Sequence, residues 1–135
     1  MYGQMEYRIL ERIFLVANLD EGTKFDEDKI RLDLVAPEFI NSIAEILTFG
    51  ARKYTAHNWK RGIKYQRVYR ACIGHLLDWY QGEELDSETG KPHLWHAGCC
   101  LMFLIYYEIY SEEFAEFDDR AFTHSGQHRF VGRPS

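Results

Sequence analysis

Apolar side chains recur at helical spacing in three stretches of the chain. The first stretch follows Pro37, which can occupy the first turn of a helix because its missing N–H needs no partner there. Gly50 is expected to end this helix. The apolar positions between them are Phe39, Ile40, Ile43, Ile46 and Leu47. This pattern predicts a helix from Pro37 to about Gly50.

The second stretch predicts a helix over residues 66–81 that Gly82 ends. The side chains that we expect this helix to bury are Val68, Cys72, Ile73, Leu76, Leu77 and Tyr80. His75 falls at the border between the apolar and polar faces. That position suits a partly desolvated ligand or base, and equally a hydrogen-bonded histidine at the edge of the core.

The third stretch runs from near Pro92 to about Tyr110 and is apolar almost all round. Such a helix is expected to be buried centrally in its domain, so His93 and His96 are predicted to be polar groups inside a core. Both need partners, and backbone carbonyls could supply them. Two imidazoles on one face beside an acid-rich loop favour a metal or substrate site instead.

The two ends of the chain show no clear period. Residues 7–16 fit a short helix or a strand, and the tail after Glu112 is expected to pack across a neighbouring subunit or to stay mobile. The 135 residues are 46% hydrophobic and 16% aromatic, which is enough for one sizeable core. We therefore predict one all-α domain, residues 1–135, with an irregular N-terminal segment and C-terminal tail.

Charge and cysteine content narrow the class of protein. The net charge of −5 argues against a general nucleic-acid binder. We find no signal-peptide pattern and no run of about 18 apolar residues, so we expect no membrane partner and a cytoplasmic location. Cys72, Cys99 and Cys100 lie in apolar stretches without a CxxC pair, which predicts reduced core residues.

Acidic and imidazole side chains are expected to converge from the three helices and the loop at residues 82–90. They are Glu38, Glu45, His75, Asp78, Glu83, Asp86, His93 and His96. An oxygen-rich set with one or two imidazoles favours Mg²⁺ or Mn²⁺ over tetrahedral zinc. Such cations bridge phosphate oxygens and lower the pKa of a bound water. Since the chain has no Gly-rich phosphate loop of the Walker type and no GxSxG motif, we expect direct attack by metal-activated water.

The segment 53–61 offers groups that complement a nucleotide. It contains cations for phosphate charge, Asn58 for polar contacts, and Trp59 with Tyr54 for stacking on a base. An ordinary surface loop with one buried aromatic residue would show the same composition.

Several short strings between Lys24 and Glu108 carry a family resemblance when taken together. They are Lys24-Phe-Asp26, Lys29 and Arg31, Leu34 to Glu38, Phe49-Gly-Ala-Arg-Lys-Tyr54, His57-Asn-Trp59 with Gly62, His75-Leu-Leu-Asp-Trp79, Gly82-Glu83 with Asp86, and Gly90-Lys-Pro-His-Leu-Trp-His-Ala97. The chain resembles the phage and bacterial dATP/dGTP diphosphohydrolases, a branch of the MazG-like all-α nucleoside triphosphate pyrophosphatases, and particularly their phage MazZ members. It departs from the wider MazG pattern because it lacks the EExxE helix, and its nearest ExxD match is Glu83 to Asp86.

The resemblance implies a MazG-like helical bundle, with a core at about residues 24–112, that assembles into a homodimer or homotetramer. It implies two or more Mg²⁺ or Mn²⁺ ions and hydrolysis of a purine nucleoside triphosphate, dGTP/GTP or dATP, to the monophosphate and pyrophosphate. For phage enzymes of the MazZ type it further implies a supply of dGMP for making 2-aminoadenine nucleotides in the host cytoplasm.

The roles that follow are hypotheses about individual side chains. The expected catalytic residues are Glu38, Glu83 and Asp86, and the expected metal ligands are Glu38, His75, Glu83, Asp86, His93 and His96. The expected substrate contacts are Lys29, Arg31, Lys53, Asn58, Trp59 and Arg61. Two alternatives are an HD-type triphosphohydrolase, which would need a His-Asp dipeptide that the chain lacks, and a non-catalytic nucleotide-binding or assembly module.

Overall fold

The structure is a computed structural model that describes residues 22–122. These residues fall into two units, and the division lies between Leu34 and Val35. The element considered for residues 7–16 and the tail beyond residue 122 lie outside the described part. The single domain expected for residues 1–135 stays a prediction.

The described part of the first unit is short and exposed. Its one regular element is a 3-10 turn at Leu32–Leu34. Here Lys29 pairs with Asp26 at 3.7 Å, and Arg31 donates two hydrogen bonds of 2.6 and 2.8 Å to the Asp33 carboxylate. The proposed phosphate contacts of both cations remain predictions, because each cation here pairs with a neighbouring acid.

Three α-helices form the described part of the second unit, residues 35–122. Helix α1 spans Pro37–Lys53, α2 spans Tyr65–Tyr80 and α3 spans His93–Ile109, with 3-10 turns at Asn58–Arg61 and Ala115–Phe117. Residues 22–122 contain no strand, and an isolated antiparallel bridge pairs Leu85 with Pro92. The predicted all-α class is confirmed, whereas the MazG-like arrangement stays a prediction.

The helix boundaries agree with the sequence except at Gly50. Helix α1 continues through this glycine to Lys53, and the N–H of Tyr54 donates to the Gly50 carbonyl at 2.8 Å. A glycine inside a helix costs about 1 kcal/mol relative to alanine, which good helix formers on both sides can offset. The prediction that Gly50 ends the helix was therefore wrong. Gly82 does follow the end of α2, with the positive φ of 97° expected of a helix-ending glycine.

Helices α2 and α3 form an antiparallel pair. At one end the Tyr65 hydroxyl donates to the Tyr107 carbonyl at 3.2 Å, and the two rings are stacked at 5.8 Å. At the other end His75 of α2 contacts His93 at the start of α3. The end of α2 and the first turn of α3 are thereby held together, and the imidazoles lie at this junction.

Helix α1 packs on α3 at Gly98. A Cβ atom at Gly98 would lie 2.8 Å from Cδ1 of Ile43 and 3.5 Å from the Phe39 ring. The absence of a side chain therefore permits this close approach. Two residues before α3, Lys91 forms a 3.0 Å ion pair with Glu45 in the middle of α1.

The core of the second unit is aromatic. One cluster of its buried residues consists of Tyr65, Val68, Tyr107 and Phe114, and further aromatic rings pack against this cluster. Phe114 lies in the segment expected to pack on another subunit or to stay mobile, but it packs in the core of its own chain. Asp119 of the same segment accepts a 2.9 Å bond from the N–H of Gln66 in the first turn of α2. The tail prediction was therefore wrong for residues up to Asp119.

Several side chains that were expected in the core are exposed in the single chain. On α2 they are Ile73, Leu76, Leu77 and Tyr80, and on α3 they are Leu94, Leu101, Ile105 and Ile109. The expected central burial of the third helix was therefore wrong, because only part of its surface packs against α1 and α2. None of the helices among residues 22–122 has both the length and the apolar character that crossing a bilayer requires.

Candidate functional site

Three histidines meet where α2 and α3 join. Nδ1 of His75 lies 2.9 Å from Nδ1 of His93, and the rings of His75 and His96 are stacked with centroids 4.5 Å apart. His93 and His96 share a face because they are three residues apart on α3. The ring of His93 is almost completely buried, at 1% exposed. The sequence prediction that these imidazoles share one site agrees with this geometry.

Asp86 joins the histidines through Thr89. The N–H and hydroxyl of Thr89 both approach Oδ2 of Asp86 at 2.9 Å, and the same hydroxyl lies 2.7 Å from Nε2 of His96. A hydroxyl that donates to Asp86 can still accept from Nε2–H of His96. This assignment leaves Nδ1 of His96 with its lone pair. Thr89 therefore fixes the orientation of both side chains.

The loop that carries Asp86 is held by backbone hydrogen bonds. The N–H of Asp86 donates to the Lys91 carbonyl at 2.8 Å, and the N–H of Gly90 donates to the Asp86 carbonyl at 2.8 Å. Gly90 has a φ of +69°, which a residue with a side chain rarely adopts. Asp86 therefore projects from a closed turn.

Two groups of possible metal-ligating atoms lie within 4.8 Å in the described residues. One consists of His75, Asp86 and His93, and the other of Asp78, Glu83 and His93. Both combine carboxylate oxygens with imidazole nitrogens, a donor set that suits Mn²⁺ and, with more oxygen ligands or water, Mg²⁺. Nε2 of His93 is buried without a hydrogen-bond partner. An unsatisfied buried nitrogen beside carboxylates is what a missing cation would leave, so these residues fit a divalent metal.

Burial favours the neutral forms of His75 and His96. It lowers the pKa of His75 and His96 below the usual histidine value, with Asp86 opposing the shift in both cases. For Asp86, burial raises the carboxyl pKa, but hydrogen bonds from Thr89 and the nearby imidazoles outweigh it, so the pKa is lowered overall. At neutral pH the site therefore presents imidazole lone pairs and a carboxylate, the forms that bind cations.

A cavity of about 980 Å³ opens beside this cluster. It is bounded by the C-terminal half of α1, the segment 53–59, and parts of α2 and α3. His75, Asp86, Thr89 and His96 contribute to one part of its wall. Leu47, Ala51, Trp59, Cys99, Cys100 and Phe103 contribute an apolar part. Along α3, His96 and Phe103 are separated by about 10 Å, so one cavity offers polar and aromatic surfaces.

The cysteines in the cavity wall are poor nucleophiles. Burial raises the pKa of Cys99 to about 12 and that of Cys100 to about 11. Both are therefore neutral thiols at physiological pH, and neither has the thiolate that nucleophilic attack or zinc binding needs. Together with Cys72 they are free cysteines, as the sequence predicted.

Only some of the predicted substrate contacts in segment 53–61 lie at the cavity. Lys53 and Asn58 line the cavity, and Lys53 also pairs with Glu88 at 3.4 Å. Arg61 is exposed and lies outside the lining residues. Trp59 lines the cavity but stacks on Phe103, with centroids 5.0 Å apart, so one face of its ring is already covered.

Two predicted carboxylates lie apart from the ligand groups. Glu38 is exposed in the first turn of α1 and belongs to neither group within this chain. Glu45 pairs with Lys91. The expected convergence from three helices is therefore observed for α2, α3 and their connecting loop, and not for the carboxylates of α1.

The sequence reasoning missed several polar lining residues, among them two cations and a threonine. Lys64 and Arg67 add positive charge to the cavity wall, and Thr89 links Asp86 to His96. A weak signal for Arg67 was available, since it precedes His75 by eight positions, which places the two side chains about 80° apart around α2. Lys64 and Thr89 are brought to the site only by the folded structure, and no spacing in the sequence marks them.

Comparisons with known proteins agree with the resemblance found in the sequence. Residues 20–120 match the family described as dATP/dGTP diphosphohydrolase, N-terminal. A dATP/dGTP diphosphohydrolase of Salmonella phage PMBT28 is 38% identical over 85 residues, which make up 63% of this chain and 29% of that protein. The chain thus matches less than a third of the length of this relative. No solved structure gives a significant match. Because the family match covers most of the chain, this chain belongs to the dATP/dGTP diphosphohydrolase N-terminal family.

Proposed function

We propose that this chain hydrolyses dATP or dGTP to the nucleoside monophosphate and pyrophosphate with Mg²⁺ or Mn²⁺. The observation that carries the proposal is the 980 Å³ cavity, which combines Asp86 and two imidazoles with an aromatic wall. Its volume lies at the upper end of the range for small-molecule sites, about 300–1,000 Å³. The family match and the name of the phage relative support the substrate class.

His75 and Asp86 belong to one ligand group and line the cavity, so they are the residues that would hold a cation at its wall. Thr89 engages Oδ2 of Asp86, which leaves Oδ1 as an available donor atom. Divalent cations at such a position neutralise phosphate charge and make a bound water more acidic. Glu38 has no part in the proposal within a single chain, because it lies outside both ligand groups.

The reaction needs one water and one leaving group. The water oxygen forms a bond to the α-phosphorus and the water gives up a proton to the solvent, while the bond from this phosphorus to the α,β-bridging oxygen breaks and pyrophosphate leaves with that oxygen. Lys53, Lys64 and Arg67 line the cavity and carry the positive charge that would oppose the charge on the polyphosphate. A phosphate oxygen would compete with Glu88 for Lys53, whose ion pair is exposed and therefore weak.

The finer parts of the function are also proposals. The preference for dGTP over dATP, and the supply of dGMP for 2-aminoadenine nucleotides in the host cytoplasm, derive from the resemblance to phage enzymes. The exposed aliphatic side chains on α2 and α3 support assembly into a homodimer or homotetramer, because large apolar patches commonly mark protein interfaces.

Product analysis tests the reaction directly. The protein is incubated with each deoxynucleoside triphosphate and Mg²⁺ or Mn²⁺, and phosphorus NMR identifies the products. We expect monophosphate and pyrophosphate from dATP or dGTP, with less turnover of dCTP and dTTP. Release of inorganic triphosphate would contradict the proposal and indicate a triphosphohydrolase. Binding without turnover would also contradict it and indicate a nucleotide-binding module.

We expect Thr89→Val to lower this turnover by about 10–100-fold, the usual effect of removing a residue that orients a metal ligand. Valine keeps the shape of threonine but cannot bridge Asp86 and His96. Thr89→Ser retains the hydroxyl and is expected to restore most of the rate, as steady-state kinetics on both variants will show. Equal losses in the two variants would mean that the hydroxyl bridge has no role.

A further inference from the structure

The buried imidazole of His93 has one nitrogen without a hydrogen-bond partner. Its Nδ1 contacts Nδ1 of His75 at 2.9 Å, while its Nε2 is buried and makes no hydrogen bond. Oε1 of Glu83 lies 3.2 Å from Nε2 but outside hydrogen-bond geometry. A buried nitrogen of this kind costs about 1–3 kcal/mol unless something binds it.

Asp78 and Glu83 place carboxylate oxygens around this nitrogen. The three ligand atoms lie within 4.8 Å of one another. A backbone bond of 3.0 Å from Glu83 N–H to the Asp78 carbonyl, across the turn at Gly82, sets the positions of the two acids. Asp78, Glu83 and His93 are all absent from the lining of the 980 Å³ cavity. They therefore form a cluster that does not contribute to the cavity wall.

We propose that Asp78, Glu83 and His93 form a divalent-cation site that is separate from the cavity and holds the α2–α3 junction. Two carboxylates would balance the charge of the ion, and one imidazole favours Mn²⁺ or a similar transition metal over Mg²⁺. Half-exposed Glu83 leaves room for water to complete the coordination. The cation stabilises the pairing of the two helices rather than taking part in hydrolysis.

The cation also determines which atoms of the imidazole pair carry protons. A neutral imidazole binds a metal through a nitrogen without a proton, so Nε2 of a metal-binding His93 leaves the proton on Nδ1. That proton is then donated to Nδ1 of His75. His75 consequently carries its own proton on Nε2. The filled site thus makes His75, which lines the cavity, a hydrogen-bond donor and leaves Asp86 to hold the cation there. This consequence for His75 rests on the proposed function, whereas the cation site does not.

Mn²⁺ binding without nucleotide tests the site. The experiment uses the Asp86→Asn variant to weaken any cation binding at the cavity. Calorimetric titration measures affinity, thermal unfolding measures stabilisation, and pulsed electron paramagnetic resonance detects nitrogen coupling from an imidazole ligand. We expect one bound Mn²⁺ with imidazole coupling and a raised Tm, because a ligand that binds only the folded state stabilises it.

Glu83→Gln and Asp78→Asn, each added to Asp86→Asn, should weaken Mn²⁺ binding at least about tenfold and remove the Tm increase. Both keep the side-chain shape, and Glu83 is half-exposed, so the fold is not at risk. Glu84→Gln is the matched control, since it removes a neighbouring exposed charge outside the cluster. Unchanged Mn²⁺ affinity in both cluster variants would overturn the proposal, as would equal weakening in the control. Neither result depends on whether the chain hydrolyses nucleotides.

Discussion

Asp86→Asn should reduce turnover of dATP or dGTP by at least about 10²–10³-fold, the loss that follows removal of one group that stabilises transition-state charge. Asparagine keeps the size of the side chain and can still accept a hydrogen bond from Thr89. It loses the negative charge with which Asp86 would hold a cation at the cavity wall. The measurement is steady-state kinetics with Mg²⁺ and Mn²⁺, together with circular dichroism to establish that helical content is unchanged.

Glu84→Gln provides the control for this variant. Glu84 is two residues before Asp86 in the same loop and is exposed, and the substitution also removes one negative charge. We expect its rate to stay within about threefold of the unchanged protein, because exposed charges are screened by water and salt. Full turnover by Asp86→Asn would show that Asp86 takes no part in the reaction. The proposed cation at the cavity wall would then lack its carboxylate ligand.

Tyr107→Ala should lower the free energy of unfolding by about 3–5 kcal/mol, the usual cost of truncating a large buried aromatic side chain. Tyr107 is fully buried. Its ring stacks on Tyr65 and lies 4.7 Å from Phe114, and its hydroxyl donates to the Trp59 carbonyl at 2.5 Å. The substitution therefore removes contacts to α2, to the 3-10 turn after α1 and to the tail at once. Urea unfolding at fixed protein concentration measures the loss.

Two variants separate the contributions of the Tyr107 ring and hydroxyl. Tyr107→Phe keeps the ring and should cost only about 1 kcal/mol, because the Trp59 carbonyl also accepts from the N–H of Gly62. Tyr69→Ala truncates a tyrosine on α2 that is 61% exposed and should change stability by less than about 1 kcal/mol. If Tyr107→Ala were no more destabilising than Tyr69→Ala, the aromatic core would not be the main source of stability.

The helices could be predicted from the sequence because their periodicity is strong and their ends carry proline or glycine. Pro37 marks the start of α1, and Gly82 marks the end of α2, where a positive φ is required. Gly50 failed as a boundary because glycine is tolerated inside a helix when its neighbours favour that state. Local composition therefore identified each helix but did not fix the end of α1.

Burial could not be predicted as well as helicity. Hydrophobic spacing shows which side chains avoid water, but not whether they pack on their own chain or on another one. Ile105 and Ile109 on α3 illustrate this, since they are 58% and 69% exposed in the single chain. Phe114 shows the reverse error, because its segment has no period and yet the side chain is buried in the core.

The histidines of the site were predictable because His93 and His96 are polar residues on a strongly apolar helix. The role of Thr89 was not, because it depends on the closed turn that brings its hydroxyl to Asp86 and His96. Glu38 was included with the acids because of its place on a helix face, but it lies outside the ligand groups of this chain. Spacing along one helix does not specify which way that helix faces its neighbours.

The proposed reactive groups come from one continuous segment, residues 75–96, whereas the apolar part of the cavity is contributed mainly by residues before and after it. This segment belongs to the α2–α3 hairpin, the antiparallel helix pair with its connecting loop. Because the hairpin forms through contacts between residues close in sequence, its loop-closure entropy is small and these groups can assemble early in folding. Changes at Leu47, Ala51 or Phe103 would alter the space available to a base without touching residues 75–96. Selectivity among purines could then differ between relatives that keep the same chemical step.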